Sequence, residues 1–327
     1  MAHVFKKNHF LMKSALCSNP KTFELIDEMV RAPEKNEALV RLEGCGVCGS
    51  NLPVWDGRSW FGYPLEPGAP GHEGWGIIDA VGESVSNFSL GDRVAVLSSH
   101  AFAEFETVPT KHLVKLPKEL DSLPFPGEPL GCAMNVFKRS NIKAGQKVAI
   151  IGAGFLGILL VQLAVRSGAE VIAISKRKFS LERAHDYGAR LCLELSSANI
   201  TQEIQKITDN IGCDCVIEAT GYQQSLDIAG EIIKNYGRLV IAGYHQDGIR
   251  IVNMQQWNWK GIDVINAHER DNNKYLQGIE DAIVAIKNKE IDCSSLFTHV
   301  FKMDQINRAF EILKNRPDGF IKALVTI

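Results

Sequence analysis

No apolar run in the 327-residue chain is long enough to cross the roughly 30 Å core of a bilayer, so the pattern excludes a transmembrane helix. An excess of one charge is missing too. There are 36 Lys and Arg against 38 Asp and Glu, a net charge of −2, which leaves no electrostatic case for a nucleic acid or an anionic membrane as partner. The opening MAHVFKKNHFLMKSALCSNP lacks the sustained apolar core and small-residue cleavage site of a secretory signal. The eight cysteines follow no secreted-scaffold spacing, so they read as reduced thiols of a cytoplasmic chain, with metal binding the use of any special one. There is no internal repeat and no low-complexity segment. What is present is a soluble composition, 45% hydrophobic and 23% charged, on a chain long enough for two domains.

The most informative stretch is VAIIGAGFLGILLVQLAVRSGAEVIAISKRK, from Val148 to Lys178. Val148 to Ile151 reads as a buried strand, and Gly152, Gly154 and Gly157 follow at once in GxGxxG spacing around Phe155 and Leu156. Ile158 to Ser167 reads as a buried helix and Val171 to Ser175 as a second strand, which together make a parallel βαβ unit. In that context the glycines turn the chain, let the backbone approach a pyrophosphate, and pack helix against strand. The helix N-terminus then offers unpaired N–H groups to the phosphates. An acidic residue closing the second strand would hold the ribose 2′-hydroxyl of NAD. Ser175 stands there instead, followed by Lys176, Arg177 and Lys178. A serine and three cations suit a 2′-phosphate, so the stretch predicts NADP(H), with NAD(H) the alternative.

Residues 1–128 read as mainly β, with a Gly- and Pro-rich loop region over 43–82 that holds Trp55, Trp60 and Trp75. Over 129–267 strand and helix patterns alternate, as in a doubly wound parallel sheet. Residues 268–327 carry two amphipathic helices, near 277–288 and 303–315, and a closing strand over 321–327. The fold class is therefore α/β, a mainly-β domain joined to a dinucleotide-binding one.

Cys48, His72, Glu73 and Glu128 are the candidate metal ligands: a thiolate, an imidazole and carboxylates suit zinc. Their spacing alone says little, but they lie in GVCGS (46–50), PGHEGWG (70–76) and GEPLGCA (127–133). With these motifs and GAGFLG the chain resembles, over nearly its whole length, the zinc-dependent medium-chain dehydrogenases/reductases. It is most similar to the sorbitol and threonine dehydrogenase branch. The resemblance implies a GroES-like catalytic domain over 1–128, a Rossmann cofactor domain over 129–267, and a return to the catalytic domain over 268–327. It implies that Cys48 and His72 bind one catalytic zinc. Glu73 matches a ligand in some members and a nearby carboxylate in others, and Glu128 the third ligand, sometimes bound through water. It implies that Ser50 accepts the alcohol proton, that Lys322 reaches the cofactor pyrophosphate, and that Gly243 joins the cofactor-binding residues. The activity implied is hydride transfer between the nicotinamide and a secondary alcohol or ketone. A polyol, cyclitol or sugar is the expected substrate, a bulkier cyclic carbonyl the alternative, and a non-catalytic member the remaining one. A homodimer or homotetramer is implied, joined through the edge strand at Ile262–Asn266.

Three departures from the family pattern stand out. Val96 runs through LSSHA straight to the strand at Phe102–Val108, without the four-cysteine lobe of a structural zinc. Asn51 replaces the Asp that orients the ligand histidine, though its amide oxygen could still accept from the ring. Pro53 stands where many members carry the histidine that ends a proton relay. Among the other residues, Cys45, Cys213 and Cys215 read as packing and the role of Cys132 is open. His100 reads as a polar surface residue. His245 and His268, at strand ends, are substrate-pocket or relay candidates. Trp55, Trp60, Trp257 and Trp259 could stack on a sugar or serve as core.

Overall fold

The computed structural model describes residues 10–197 and 199–327, and they fall into two compact units. The chain opens with an antiparallel hairpin, β1 (Leu11–Asn19) and β2 (Thr22–Met29). Then come β3 (Glu37–Val47), a short helix α1 (Leu52–Trp55), β4 (Gly74–Val81), β5 (Arg93–Val96), β6 (Phe105–Pro109) and β7 (Leu113–Lys115). Helix α2 (Gly127–Ser140) follows. The alternating part is β8 (Lys147–Ile151), α3 (Phe155–Arg166), β9 (Glu170–Ser175), α4 (Lys178–Asp186), β10 (Leu191–Glu194), α5 (Ile200–Ile207), β11 (Cys213–Glu218), α6 (Gln223–Ile232), β12 (Ile233–Ile241), α7 (Met254–Lys260) and β13 (Asp263–Asn266). Then come α8 (Asn272–Lys287), β14 (Phe297–Lys302), α9 (Ile306–Asn315) and β15 (Lys322–Thr326).

The second unit is built on a six-stranded parallel sheet in the order β10-β9-β8-β11-β12-β13. The chain starts in the middle at β8, winds outward to β10, then returns to β11 and winds the other way. The order reverses between β8 and β11, the place where such sheets bind ligands. Every residue from Val148 to Ile151 is fully buried, as strands covered by helices on both faces require. Helix α3 starts at Phe155, three residues before the apolar run suggests, because Gly154 already caps it.

The first unit holds a seven-stranded sheet with the path β14-β15-β3-β4-β5-β7, and β6 pairs with β3. All its pairings are antiparallel except β14 with β15. Its core packs Phe23, Trp55, Phe102 and Phe310 together, with Phe102 edge-on to Phe23 and Phe310. The unit's opening segment ends at Gly131, and it also takes in Tyr275–Ile283 and Ser294–Ile327. The second unit comprises Cys132–Lys274 and Val284–Cys293. Sequence pattern put the boundaries at 128 and 267, with one return, so the division differs. Within the second unit, Gln162 of α3 donates to the Asp292 carbonyl at 2.9 Å and accepts from the Asp292 N–H at 2.6 Å. Among the described residues no helix is long and apolar enough to cross a membrane.

Where the chain runs directly from β5 to β6, Glu106 lies buried. Its Oε2 accepts from the Ser98 hydroxyl at 2.8 Å, and His100 Nδ1 is 3.9 Å from Oε1. Burial pushes its carboxyl up from 4.5 to about 7, while the Ser98 hydroxyl and the His100 N–H pull the other way. A carboxyl raised on folding favours the protonated form. Its stability contribution is present below about pH 4.5 and lost as pH rises through about 7. Glu106→Gln should therefore stabilise the protein at pH 8 by on the order of 3 kcal/mol and leave it little changed near pH 5. Urea denaturation of both proteins at the two pH values checks this. Equal stability gains at both would refute it.

Candidate functional site

Three adjacent strands, β15, β3 and β4, bring the catalytic candidates to one end of the first unit's sheet. Val47 pairs with Ala323, so Cys48, just past β3, lies beside Lys322, the first residue of β15. Cys45 pairs with Gly74, and the Gly46 N–H donates to the Glu73 carbonyl at 3.1 Å, so His72 and Glu73 arrive at the same end. The ligand atoms of Cys48, His72 and Glu73 all lie within 4.8 Å of one another. Glu128, in the first turn of α2, is outside that group, although its charge acts on His72.

The His72 ring has a fixed orientation. Its Nδ1 lies 3.1 Å from the Pro70 carbonyl, which can only accept, so Nδ1 carries the proton. Nε2 is left facing the Ser50 hydroxyl at 3.5 Å. The Pro70 carbonyl therefore does what Asn51 was expected to do. Asn51 is buried, and its Nδ2 has no hydrogen-bond partner. Burial alone would lower the His72 pKa. The Cys48 thiolate, which it hydrogen-bonds, and the charges of Glu128 and Glu73 outweigh this and push it up to about 10.

Glu73 is fully buried. Its Oε1 accepts from Lys322 Nζ at 2.6 Å. Nζ is also 2.5 Å from Oε2, so the buried ammonium meets both oxygens of the carboxylate. A Cβ on Gly46 would stand 1.8 Å from Oε2, so the carboxylate can occupy this seat only over a glycine. Lys322 was expected at the cofactor pyrophosphate. Its ammonium is buried and ion-paired with Glu73. Burial lowers its pKa, but the charges of Glu73, Cys48 and Glu128 more than offset this and raise it. A thiolate, an imidazole and a carboxylate so close together fit a zinc ion. Among the described residues this is the one group of three or more His, Cys, Asp or Glu side chains close enough to share a metal. Cys45, Cys213 and Cys215 are buried, and burial holds the last two thiols up at about 12. Cys132 is half-buried.

In the second unit Gly152 has φ +108°, and a Cβ on Gly157 would stand 1.8 Å from the Gly152 carbonyl oxygen. The turn thus needs both glycines, and it opens α3 with Phe155 buried and Leu156 half-buried. Ser175 closes β9, buried, and its Oγ accepts from the Arg177 N–H at 3.4 Å. Lys176 is exposed and Arg177, partly exposed, caps α4. Past β12, the Gly243 N–H donates to the Glu218 carbonyl at 2.8 Å. The Glu218 side chain, fully buried, accepts from the N–H groups of Thr220 and Gly221 and, at 3.0 Å, from His245 Nε2. Arg250 Nε donates to His245 Nδ1 at 2.9 Å. Both His245 nitrogens therefore have hydrogen-bond partners. Glu218 and Arg250 were not singled out from sequence. The signal was the acidic residue that follows the apolar run Cys215–Ile217 at the end of β11. His268 stacks on Tyr244, centroids 5.5 Å apart, and burial lowers its pKa. Trp55 and Trp257 are core residues, while Trp60 and Trp259 are 59% and 81% exposed. His100 is 2.8 Å from Glu66.

Comparison with known proteins agrees with this geometry. Residues 34–118 match the alcohol dehydrogenase GroES-like domain, and residues 156–283 match the zinc-binding dehydrogenase family. L-threonine 3-dehydrogenase of Bacillus subtilis is 25% identical over 93% of this chain and 96% of its own length. Human sorbitol dehydrogenase is 26% identical over 96% of this chain and 95% of its own. The crystal structure of 2R,3R-butanediol dehydrogenase from Bacillus subtilis, 24% identical, superposes with a TM-score of 0.83 over 97% of this chain and 99% of that one. With both of its domain types matched and full-length relatives of this kind, the chain belongs to the zinc-type medium-chain alcohol and polyol dehydrogenases, which are NAD(P)-dependent oxidoreductases.

Proposed function

We propose that this protein moves a hydride between NADP(H) and a secondary alcohol or its ketone, with a polyol, cyclitol or sugar as substrate and one zinc per chain. The observation that supports it most is the meeting of Cys48, His72 and Glu73, whose ligand atoms all lie within 4.8 Å of one another. These three would hold the zinc, with Glu128 at hand directly or through a water. Zinc supplies Lewis-acid stabilisation of charge on the alcohol or carbonyl oxygen, and the nicotinamide gives or takes the hydride.

The chain's own residues do the rest. Ser50, 3.5 Å from His72 Nε2 and partly exposed, takes the alcohol proton and passes it to water, since Pro53 offers no imidazole. The Pro70 carbonyl accepts from Nδ1 of His72, which leaves Nε2 as the nitrogen that would bind the metal. The Gly152–Gly157 turn and the first N–H groups of α3 receive the pyrophosphate, while Ser175, Lys176 and Arg177 receive the ribose with its 2′-phosphate. Gly243, anchored on Glu218, lines the same end of the sheet.

A panel of polyols and ketones, assayed with both cofactors by the absorbance of the reduced nicotinamide, tests the proposal. Turnover of a secondary polyol is expected, and silence across the panel with metal-loaded protein would refute it. The relatives' names fit this substrate class, sorbitol dehydrogenase above all.

Assembly is a separate expectation. Strand β13 pairs only with β12 among the described residues, and Val264 on it is 44% exposed. An unprotected parallel edge invites pairing with a second copy. The protein should run as a homodimer or homotetramer, and a monomer in light scattering at micromolar concentration would exclude this.

A further inference from the structure

Arg316 closes α9 in a backbone conformation that suits glycine. Its φ is +42°, in the left-handed region, and its N–H donates to the Ile312 carbonyl at 2.8 Å. A Cβ is crowded there, which is why helices so often end on glycine at such a point. An arginine held in that conformation points to a use for its side chain. Its Nε donates to the Leu313 carbonyl at 3.3 Å, which ties the base of the guanidinium to the helix end. Nη2 lies over the turn that follows β3, where a Cβ on Gly49 would stand 3.4 Å from it. Gly49 is flanked by Cys48, the candidate metal ligand, and Ser50, the candidate proton acceptor, and all three are partly exposed. Other cations of the same helix are paired, Lys314 with Asp56 and Arg308 with Glu311. Arg316 is exposed, and among the described residues no carboxylate pairs with it.

We propose, building on the polyol reading above, that Arg316 is a specificity-determining residue that binds an anionic group, a carboxylate or a phosphate, carried by the substrate. With Nε on Leu313, the guanidinium presents its two amino groups, and such a fork matches two oxygens of either anion. A polyol whose reacting hydroxyl meets Ser50 carries its acid group, a few carbons along, to Arg316. Gly49 belongs to the arrangement, because a long side chain there would fill the space in front of Nη2. Cys48, Gly49, Ser50 and Arg316 all lie in the first unit, so the seat needs no residue of the dinucleotide-binding unit. A neutral polyol leaves the guanidinium in water and gains nothing from it. A sugar acid or a sugar phosphate exchanges that water for charge-assisted hydrogen bonds. The substrate class is therefore narrowed from polyols in general to polyols that bear an acid group.

The test compares three hexitols (glucitol, mannitol and galactitol) with their hexonates and their hexitol phosphates on the metal-loaded, full-length protein, with both cofactors. The parent should turn over the hexonates or the phosphates at least about tenfold better in kcat/KM than the neutral hexitols. The better of the two charged series tells carboxylate from phosphate. Arg316→Gly, which suits the backbone and so keeps the fold, should abolish that advantage and leave the neutral hexitols unchanged. Lys314→Gln, which removes a paired cation from the same helix end, should keep it. No advantage for charged substrates in the parent would overturn the assignment. So would an equal loss for neutral and charged substrates in Arg316→Gly, or a loss confined to the KM of the cofactor. A second measurement needs no turnover: phosphorus NMR relaxation of inorganic phosphate on the cobalt(II)-loaded protein. The paramagnetic enhancement should be present in the parent and lost in Arg316→Gly, and its persistence in the variant would also overturn the assignment. Silence of the parent across all nine substrates would refute the polyol reading instead, and the phosphate measurement then decides on Arg316 alone.

Discussion

Cys48→Ala is expected to leave a folded protein without bound metal and with at least roughly a thousandfold less dehydrogenase activity, since Lewis-acid stabilisation is worth several kcal/mol and about 1.4 kcal/mol is a factor of ten. Cys48 is partly exposed and lies beyond the end of β3, so its loss opens no cavity in the aromatic core of the first unit. It removes the sulfur from a group whose other donors, on His72 and Glu73, lie within 4.8 Å of it. Elemental analysis should find about one zinc per chain in the parent and almost none in the variant. Two tightly bound zincs in the parent would mean that a second site exists, although residues 97–101 bridge from β5 toward β6 with no cysteine among them. Retained metal and activity in the variant would remove Cys48 from the site.

The second large effect concerns the cofactor. Ser175 ends β9 without a carboxylate, and Lys176 and Arg177 follow it. A charge-assisted contact to a 2′-phosphate contributes on the order of 1.5–3 kcal/mol. The preference for NADP(H) over NAD(H) should then be at least about tenfold in kcat/KM. Arg177→Ala should weaken NADP(H) while barely changing NAD(H). Ser175→Asp should reverse the preference, because a carboxylate repels the phosphate and accepts from the 2′-hydroxyl. Equal or better kcat/KM with NAD(H) in the parent would show that Lys176 and Arg177 serve only as solvated surface charge.

How far the sequence led depended on whether a signal was local. The βαβ unit was legible because glycine spacing and apolar runs sit within thirty residues. The pattern also reads strands over Gly76–Val81 and Asp92–Leu97, with Gly91-Asp92 as the turn before the second, and the strands found are Gly74–Val81 and Arg93–Val96. Strand β10 was missed, since the four residues LCLE give too little periodicity. So was β14, whose FTHVFK places a histidine where apolar alternation would continue. The metal candidates were legible as motifs, but their partners were not. That Pro70 rather than Asn51 serves His72 depends on a backbone carbonyl, which no side-chain pattern records. That Lys322 meets Glu73 depends on the β15–β3–β4 register, which joins residues 249 positions apart. A separation of 130 positions likewise hid the Gln162–Asp292 clamp.

The place of β15 between β14 and β3 has a consequence for biosynthesis. The ribosome makes β3, β4 and the Cys48, His72 and Glu73 loops first, then the whole parallel-sheet unit, and only afterwards the strand that completes the earlier sheet. Until then one edge of β3 waits open, and the Glu73 carboxylate is without its buried cation. Such late, long-range closure is slow and exposes the unfinished sheet to wrong partners. A nascent chain stalled before Lys322 should therefore bind chaperones and lack a mature metal seat, even though its βαβ unit has already folded around the glycine turn.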